Sequence, residues 1–121
     1  MKGVFDISGD SRYDDAITER YHFPSNYLQV GRDLERDWVV YRETRAAGGR
    51  MAYIAAAFVE RIESDPLDSS HYYARVRDFL EFDTPVPYRR ADGRFAERFL
   101  RDMARPSDAG RMLRGMSMRR L

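Results

Sequence analysis

Residues 37–62 read DWVVYRETRAAGGRMAYIAAAFVERI, and this stretch decides the fold. It begins with a short run of aromatic and β-branched residues, a composition that favours a strand. A polar loop centred on Gly48-Gly49 follows, and a glycine pair of this kind marks a turn. An apolar run from Met51 to Ile62 completes the stretch. The pattern predicts an antiparallel hairpin whose long loop fixes the register only weakly.

The second half of this hairpin has two interpretations. Residues 52–59 contain almost no polar side chain, so both faces of the segment should be covered and it should be the central strand. Its four alanines would also suit a buried helix over residues 51–61. The density of aromatic and β-branched residues within it favours the strand.

Other segments extend this sheet or flank it. Residues 2–7 and 71–83 alternate as strands do, the second with one apolar face and a bend near Asp78. Residues 64–70 have the composition of a loop. The helical predictions are a short helix from Asp14 or Asp15 toward Pro24, helical turns in 25–37, a helix starting at Asp92 and a last one starting at Ser107 or Asp108.

These elements predict an α+β fold with a curved antiparallel sheet of about five strands, or a small pseudo-barrel, flanked by short helices. With 121 residues and 43% hydrophobic content, the chain suits one domain. We assign residues 1–115 to that domain. Residues 116–121 are interpreted as a tail, or as a linker toward a further domain.

Several classes of protein are excluded or disfavoured. The chain has no cysteine, so it has neither disulfides nor thiolate metal sites. It lacks an 18-residue apolar run and a signal-peptide core, which indicates a cytoplasmic protein without a membrane partner. No P-loop, G-x-G-x-x-G or G-x-S-x-G motif is present, so no catalytic residue and no cofactor are assigned. His22 and His71 have no second ligand at metal spacing, so no metal site is expected.

Charge is distributed unevenly along the chain. Residues 1–83 carry 11 basic and 16 acidic side chains, whereas residues 84–121 carry 10 basic and 4 acidic ones, a net charge of +6. This basic third has two interpretations, a phosphate-binding surface or a solvated helical surface beside an acidic body. The candidate phosphate-binding residues are Arg89, Arg90, Arg94, Arg98 and Arg101.

Aromatic residues are dense near His22, in the sequence Tyr21-His22-Phe23-Pro24, and Asn26 and Tyr27 follow closely. Planar side chains with a polar tip suit stacking on a base and hydrogen bonding to its edge. On the hairpin, Trp38, Tyr41 and Tyr53 could line the same pocket. Trp38 and Tyr41 alternate to opposite faces of a regular strand, so both reach one pocket only through a bulge or strong curvature. The other interpretation places most of these rings in the core.

The order of the motifs SNYL, ERDWVVYRE, AYIAAAFVERIESDP and YYARVRDFLEFDTPVP resembles EVE and related PUA-like domains. In those domains an Asn-Tyr segment leads to a G-D-x-V-x-F-Y strand, a G-x-A-x-V strand, an Asp-Pro loop and a long strand ending near a proline. The string, including YHFP and GGRMAY, is also similar to the N-terminal region of bacterial HNH endonucleases. The resemblance covers roughly residues 3–115.

The resemblance implies a pseudo-barrel that flips a modified base of double-stranded DNA into an aromatic cage. It also implies a nuclease domain C-terminal to this reader, which itself has no HNH motif; a homodimer is another possible assembly. Matched positions suggest Asn26, Tyr27, Trp38 and Tyr41 for the base-binding pocket, alongside Tyr21, His22 and Phe23 from the analysis of the residues. Alternatives are an RNA-binding PUA-like module, a domain that binds a small molecule or a protein, and a small enzyme.

Overall fold

The computed structural model describes residues 1–7, 16–44, 51–102 and 116–121. Six strands form one sheet: β1 (Gly3–Ile7), β2 (Arg20–Pro24), β3 (Trp38–Glu43), β4 (Ala52–Asp65), β5 (Asp68–Pro87) and β6 (Met118–Arg120). A 3-10 turn at Ser25–Tyr27 runs into helix α1 (Leu28–Leu34), and a one-turn helix α2 spans Arg98–Arg101. The helical turns predicted within residues 25–37 are therefore confirmed.

The sheet has the strand order β2-β5-β4-β3-β1-β6. The predicted hairpin is confirmed, because β3 and β4 pair antiparallel with Trp38 opposite Phe58. The buried-helix alternative for residues 51–61 is excluded. The α+β class is also confirmed, but the sheet has six strands and is mixed, since β1 pairs parallel with β3. A parallel pair needs a long crossover, and here β2 and α1 lie within that connection.

The sheet curls into a half-barrel. β2 and β1 stand first and fifth in the strand order, yet the rings of Tyr21 and Phe5 stack with their centroids 4.3 Å apart. The Tyr21 hydroxyl donates to the Asp6 carbonyl at 2.7 Å. Helix α1 packs against both strands: a Cβ at Gly31 would lie 3.0 Å from the Phe23 ring, and one at Gly3 would lie 2.6 Å from Leu34.

A β-bulge bends β5 at Asp78. This residue has a φ of 54°, and the register of β4 with β5 shifts beside it, between Ala56 and Phe58. The bend predicted near Asp78 is confirmed. An extra residue in one strand inverts the alternation beyond it. Phe79 therefore packs against the core, while Leu80 is exposed.

Two predictions near β2 and β5 are wrong. The expected loop at residues 64–70 is a tight turn at Pro66-Leu67, because the Asp65 carboxylate accepts the Leu67 N–H at 2.9 Å and strand pairing resumes at Asp68. The expected helix before Pro24 gives way to strand β2 from Arg20 onward. Pairing with β5 buries alternate aromatic side chains there, which outweighs the local helical preference.

The C-terminal part of the described chain also differs from expectation. Residues 116–121, interpreted as a tail or linker, contain β6, which pairs antiparallel with β1. The helix expected from Asp92 begins only at Arg98, since the Asp92 carboxylate accepts the Arg94 N–H at 3.0 Å and a turn forms instead. The helix start at Asp14 or Asp15, the Gly48-Gly49 loop centre and the last predicted helix lie outside the described residues.

No helix within the four described ranges has the length and apolarity that a membrane crossing requires.

Candidate nucleic-acid interface

The sheet separates the aromatic residues predicted to form a base-binding pocket. Its inner face carries Val39 and Tyr41, and its outer face carries Trp38, Val40 and Arg42, as strand alternation requires. Tyr21, Phe23 and Tyr41 lie in the core and are 2%, 1% and 0% exposed. These three rings are packed inside the half-barrel and are not accessible to a ligand.

The remaining pocket candidates lie elsewhere. Trp38 is on the outer face and is 41% exposed. His22 is half-buried and its ring stacks on Tyr73. Asn26 is exposed in the 3-10 turn, and the Tyr27 hydroxyl accepts the Ser117 N–H at 3.2 Å. The seven residues therefore do not form one cage, and of Trp38 and Tyr41 only the tryptophan is accessible.

Trp38 belongs to a cluster that we call the aromatic–arginine patch: Trp38, Phe58, Arg36 and Arg77. Trp38 packs edge-on against Phe58, with ring centroids 5.7 Å apart. The guanidinium of Arg77 lies 4.6 Å from the Phe58 ring centroid, and that of Arg36 lies 5.2 Å from it. The patch thus combines an exposed indole with two cations held over its neighbouring ring.

Strand pairing and a strained turn build this patch. Trp38, Phe58 and Arg77 are cross-strand neighbours on β3, β4 and β5. Arg36 follows α1 with a φ of 64°, and its N–H donates to the Val59 carbonyl at 2.8 Å. Residues other than glycine seldom adopt a positive φ, so the surrounding structure must hold the backbone of Arg36 in this conformation. The sequence analysis did not identify Phe58 or the two arginines as site residues. The pairing of Trp38 with Phe58, and of Phe58 with Arg77, would have identified two of the three.

The second basic feature of the outer face is the basic segment, residues 88–102, with its five predicted phosphate-binding arginines. Arg89, Arg90, Arg94 and Arg98 are exposed and Arg101 is half-buried. Arg89 lies over the Phe95 ring at 4.4 Å, and Arg90 pairs with Asp92 at 3.6 Å. The cations are thus available at the surface.

A buried ionic cluster attaches the basic segment to the sheet: Glu97, Arg119, Tyr53, Asp6 and Arg42. Glu97 is 2% exposed and receives two hydrogen bonds from Arg119, at 2.6 and 2.7 Å, and one from the Tyr53 hydroxyl at 2.5 Å. Arg119 also donates to Asp6 at 3.1 Å. Asp6 in turn accepts two bonds from Arg42, at 2.9 and 2.8 Å.

Burial and neighbouring charges shift the pKa values of two residues in this cluster, Tyr53 and Arg119. Burial and then the Glu97 carboxylate raise the pKa of Tyr53 far above its usual value, so its hydroxyl stays a donor. Burial on its own would lower the pKa of Arg119, but hydrogen bonding to Glu97 and the charge of Asp6 outweigh it and raise that pKa. Among the described residues, Nη1 of Arg42 has no hydrogen-bond partner, and the Tyr88 ring centroid lies 5.5 Å from the guanidinium carbon.

The patch and the basic segment share the outer face. Trp38 and Arg42 are four residues apart on β3, which is about 13 Å at roughly 3.3 Å per residue. Tyr88, at the start of the basic segment, covers Arg42. A ligand lying along this face can therefore contact both regions.

A histidine pair stabilises the β4–β5 turn. Nε2 of His22 lies 3.0 Å from Asp65, Nδ1 of His71 lies 2.8 Å from Asp68, and the two imidazole rings stack at 4.7 Å. Each histidine thus pairs with a carboxylate beside the turn. Within the described ranges, no group of three histidine or acidic side chains is arranged to hold a metal ion.

Comparisons of the chain with protein-family models, with curated proteins and with solved structures return no match.

Proposed function

We propose that this chain is a DNA-binding module that contacts DNA through the outer face of its sheet. The observation that carries the proposal is the exposed ring of Trp38 beside an arginine-flanked Phe58. Stacking of a base on an aromatic ring contributes roughly 1–3 kcal/mol, and neighbouring arginines contact phosphates. An exposed tryptophan with this environment suits a nucleic acid better than an uncharged partner.

The spacing of the two basic regions supports the same proposal. Trp38 and Arg42 lie about 13 Å apart along β3, and Tyr88 at the start of the basic segment covers Arg42. A nucleic-acid strand that stacks a base on Trp38 and continues along β3 would therefore run toward the basic segment. Arg36 and Arg77 would contact the phosphates next to the stacked base.

The finer proposal is that the module reads a modified, flipped base, and that its fold is PUA-like, as the motif order suggests. Flipping costs a few kcal/mol of stacking and pairing energy. Trp38 is the residue to which we assign stacking on the extruded base, because Tyr21, Phe23 and Tyr41 are occupied in the core. A nuclease domain in the same protein, or a second copy of the chain, would act on the DNA that the module selects.

Titration of the protein with nucleic acid tests the proposal, since Trp38 is the sole tryptophan and reports its own stacking. The ligands are an unmodified duplex, the same duplex with 5-methylcytosine or N6-methyladenine, and an RNA of the same sequence. We expect fluorescence quenching by duplex DNA, strongest for a modified one. Trp38→Ala has no tryptophan, so its binding is followed by the fluorescence anisotropy of a labelled duplex, with the wild type measured in the same way. It should bind about 5- to 150-fold more weakly, the equivalent of roughly 1–3 kcal/mol.

Leu67→Ala is the matched control, because Leu67 is an exposed hydrophobic residue at the β4–β5 turn, away from the patch. It should bind like the wild type. Equal quenching by all duplexes would refute the proposal that a modified base is read, and it would still support DNA binding. Preference for the RNA would favour the RNA-binding alternative. Binding that is unchanged in Trp38→Ala would refute this use of the outer face.

A further inference from the structure

Glu97 connects the basic segment to the sheet through an ion pair with Arg119. The segment is largely bonded to itself: the Ala96 N–H donates to the Tyr88 carbonyl at 2.8 Å, and the Arg90 N–H donates to the Arg94 carbonyl at 2.6 Å. At its start, the Tyr88 N–H reaches the Met51 carbonyl at 3.2 Å. Near its end, the carboxylate of Glu97 is buried and takes three hydrogen bonds from the sheet.

The same residue also begins helix α2. The main-chain carbonyl of Glu97 accepts the N–H groups of Leu100 and Arg101, both at 3.1 Å. Its side chain is held by Arg119 and Tyr53, while its main chain carries the turn that presents Arg98 and Arg101. The hydrogen bonds that hold the Glu97 carboxylate therefore also determine how helix α2 and its two arginines are oriented relative to the sheet.

The apolar residues of the basic segment are separate from the main core of the half-barrel. Among the described residues, Phe95 and Leu100 form a separate small core cluster, with Tyr88 and Phe99 packed against it. Such a cluster excludes water but is not directional. Charge-assisted hydrogen bonds to both oxygens of a buried carboxylate are directional, and they hold the segment in one orientation.

The geometry points to Glu97 as a positioning residue for DNA binding, with Tyr53 and Arg119 as its supports, an inference that rests on the proposed function. Glu97 itself does not touch the DNA. It holds the cations of the basic segment at a fixed place relative to Trp38, so that phosphates and the stacked base are bound together.

The test compares Glu97→Gln with Glu63→Gln. Glu63 is a carboxylate that also accepts hydrogen bonds from two arginines, Arg61 and Arg75, but it lies on β4 outside the basic segment. Duplex affinity is measured from 50 to 300 mM salt at a temperature where each variant is folded, and amide hydrogen exchange is followed at Leu100 and Arg101. Tyr53→Phe, which keeps both charges and removes one donor, is the milder second variant.

We expect Glu97→Gln to lower duplex affinity at least tenfold at low salt. The slope of log affinity against log salt should shrink by about 0.9 for each phosphate that the variant no longer neutralises. Exchange at Leu100 and Arg101 should accelerate, with a smaller change in the same direction for Tyr53→Phe. Quenching of Trp38 at saturating duplex should persist, and Glu63→Gln should behave like the wild type.

A variant that is only less stable would bind with the wild-type slope once its folded fraction is counted, and that result would overturn the positioning role. If Glu97→Gln unfolds, an unchanged slope in Tyr53→Phe has the same meaning. A wild-type protein that shows no salt-dependent duplex binding would instead overturn the proposed function, and the inference with it.

Discussion

Two groups of arginines lie on the outer face of one sheet, and they differ in the groups that surround them. In the aromatic–arginine patch, Arg36 and Arg77 lie over an aromatic ring and remain open to water. In the buried ionic cluster, Arg42 and Arg119 are enclosed and bind carboxylates. A hydrated arginine can exchange water for a phosphate, whereas a buried one is committed to its partner. The comparison separates cations available for binding from cations that hold the structure.

The largest effect is expected for Arg119→Ala. This change leaves the buried carboxylates of Glu97 and Asp6 without their shared cation, and removing one partner of a buried ion pair costs about 3–5 kcal/mol. Urea unfolding, followed by circular dichroism, measures the decrease in the free energy of unfolding. Arg120→Ala is the control, because Arg120 pairs with Asp33 at the surface, and its effect should be much smaller. Equal decreases for the two variants would contradict the distinction between buried structural arginines and exposed ones.

An intermediate effect is expected for the double variant Arg36→Gln, Arg77→Gln. Neither side chain is buried, so the free energy of unfolding should change by no more than about 0.5 kcal/mol for each substitution. In duplex binding, the slope of log affinity against log salt should shrink by about 0.9 per arginine. Isothermal binding at several salt concentrations checks this. A destabilisation as large as that of Arg119→Ala would show that the patch is structural.

The smallest effect is a pH dependence at the entry to β3. The Trp38 N–H, followed by the amino group of Met1, lowers the pKa of Asp37 to about 2. A carboxyl whose pKa is lower when folded stabilises the fold at neutral pH, and that stability is lost between about pH 4 and pH 2. In Asp37→Asn this contribution is absent, so its urea midpoint should fall less than that of the wild type over this range. An identical pH profile for the two proteins would contradict the prediction.

Local pattern was sufficient to predict the hairpin and the bend at Asp78. Residues 37–62 contain two apolar runs around a glycine pair, and such a pattern depends on near neighbours only. Alternation also predicted that Trp38 and Tyr41 face opposite ways. The same reasoning did not predict β2, because a five-residue strand beside possible capping aspartates carries a weak signal of its own. β2 forms because β5 pairs with it.

Interactions between distant residues were beyond the reach of sequence patterns. The buried ionic cluster joins Asp6 to Arg119 across 113 positions, and no spacing rule connects them. The parallel pairing of β1 with β3 is equally invisible in either segment alone. The predicted pocket failed to assemble for a related reason: aromatic residues close in sequence were divided between the two faces of a strand. Among the aromatic pocket candidates, Trp38 is the exposed one, as its proposed role requires.

The pairing of β1 with β6 has a consequence for how the molecule is made. Gly3 lies opposite Arg120, and the Leu121 N–H donates to the Lys2 carbonyl at 2.8 Å, so residues 118–121 must be synthesised before β1 gains its second neighbour. Pairings of such long range slow folding, because a large loop must close before they form. Until then β1 presents an open hydrogen-bonding edge, the feature through which nascent chains pair with one another. Strand β6, more than 110 positions along the sequence from β1, thus closes that edge.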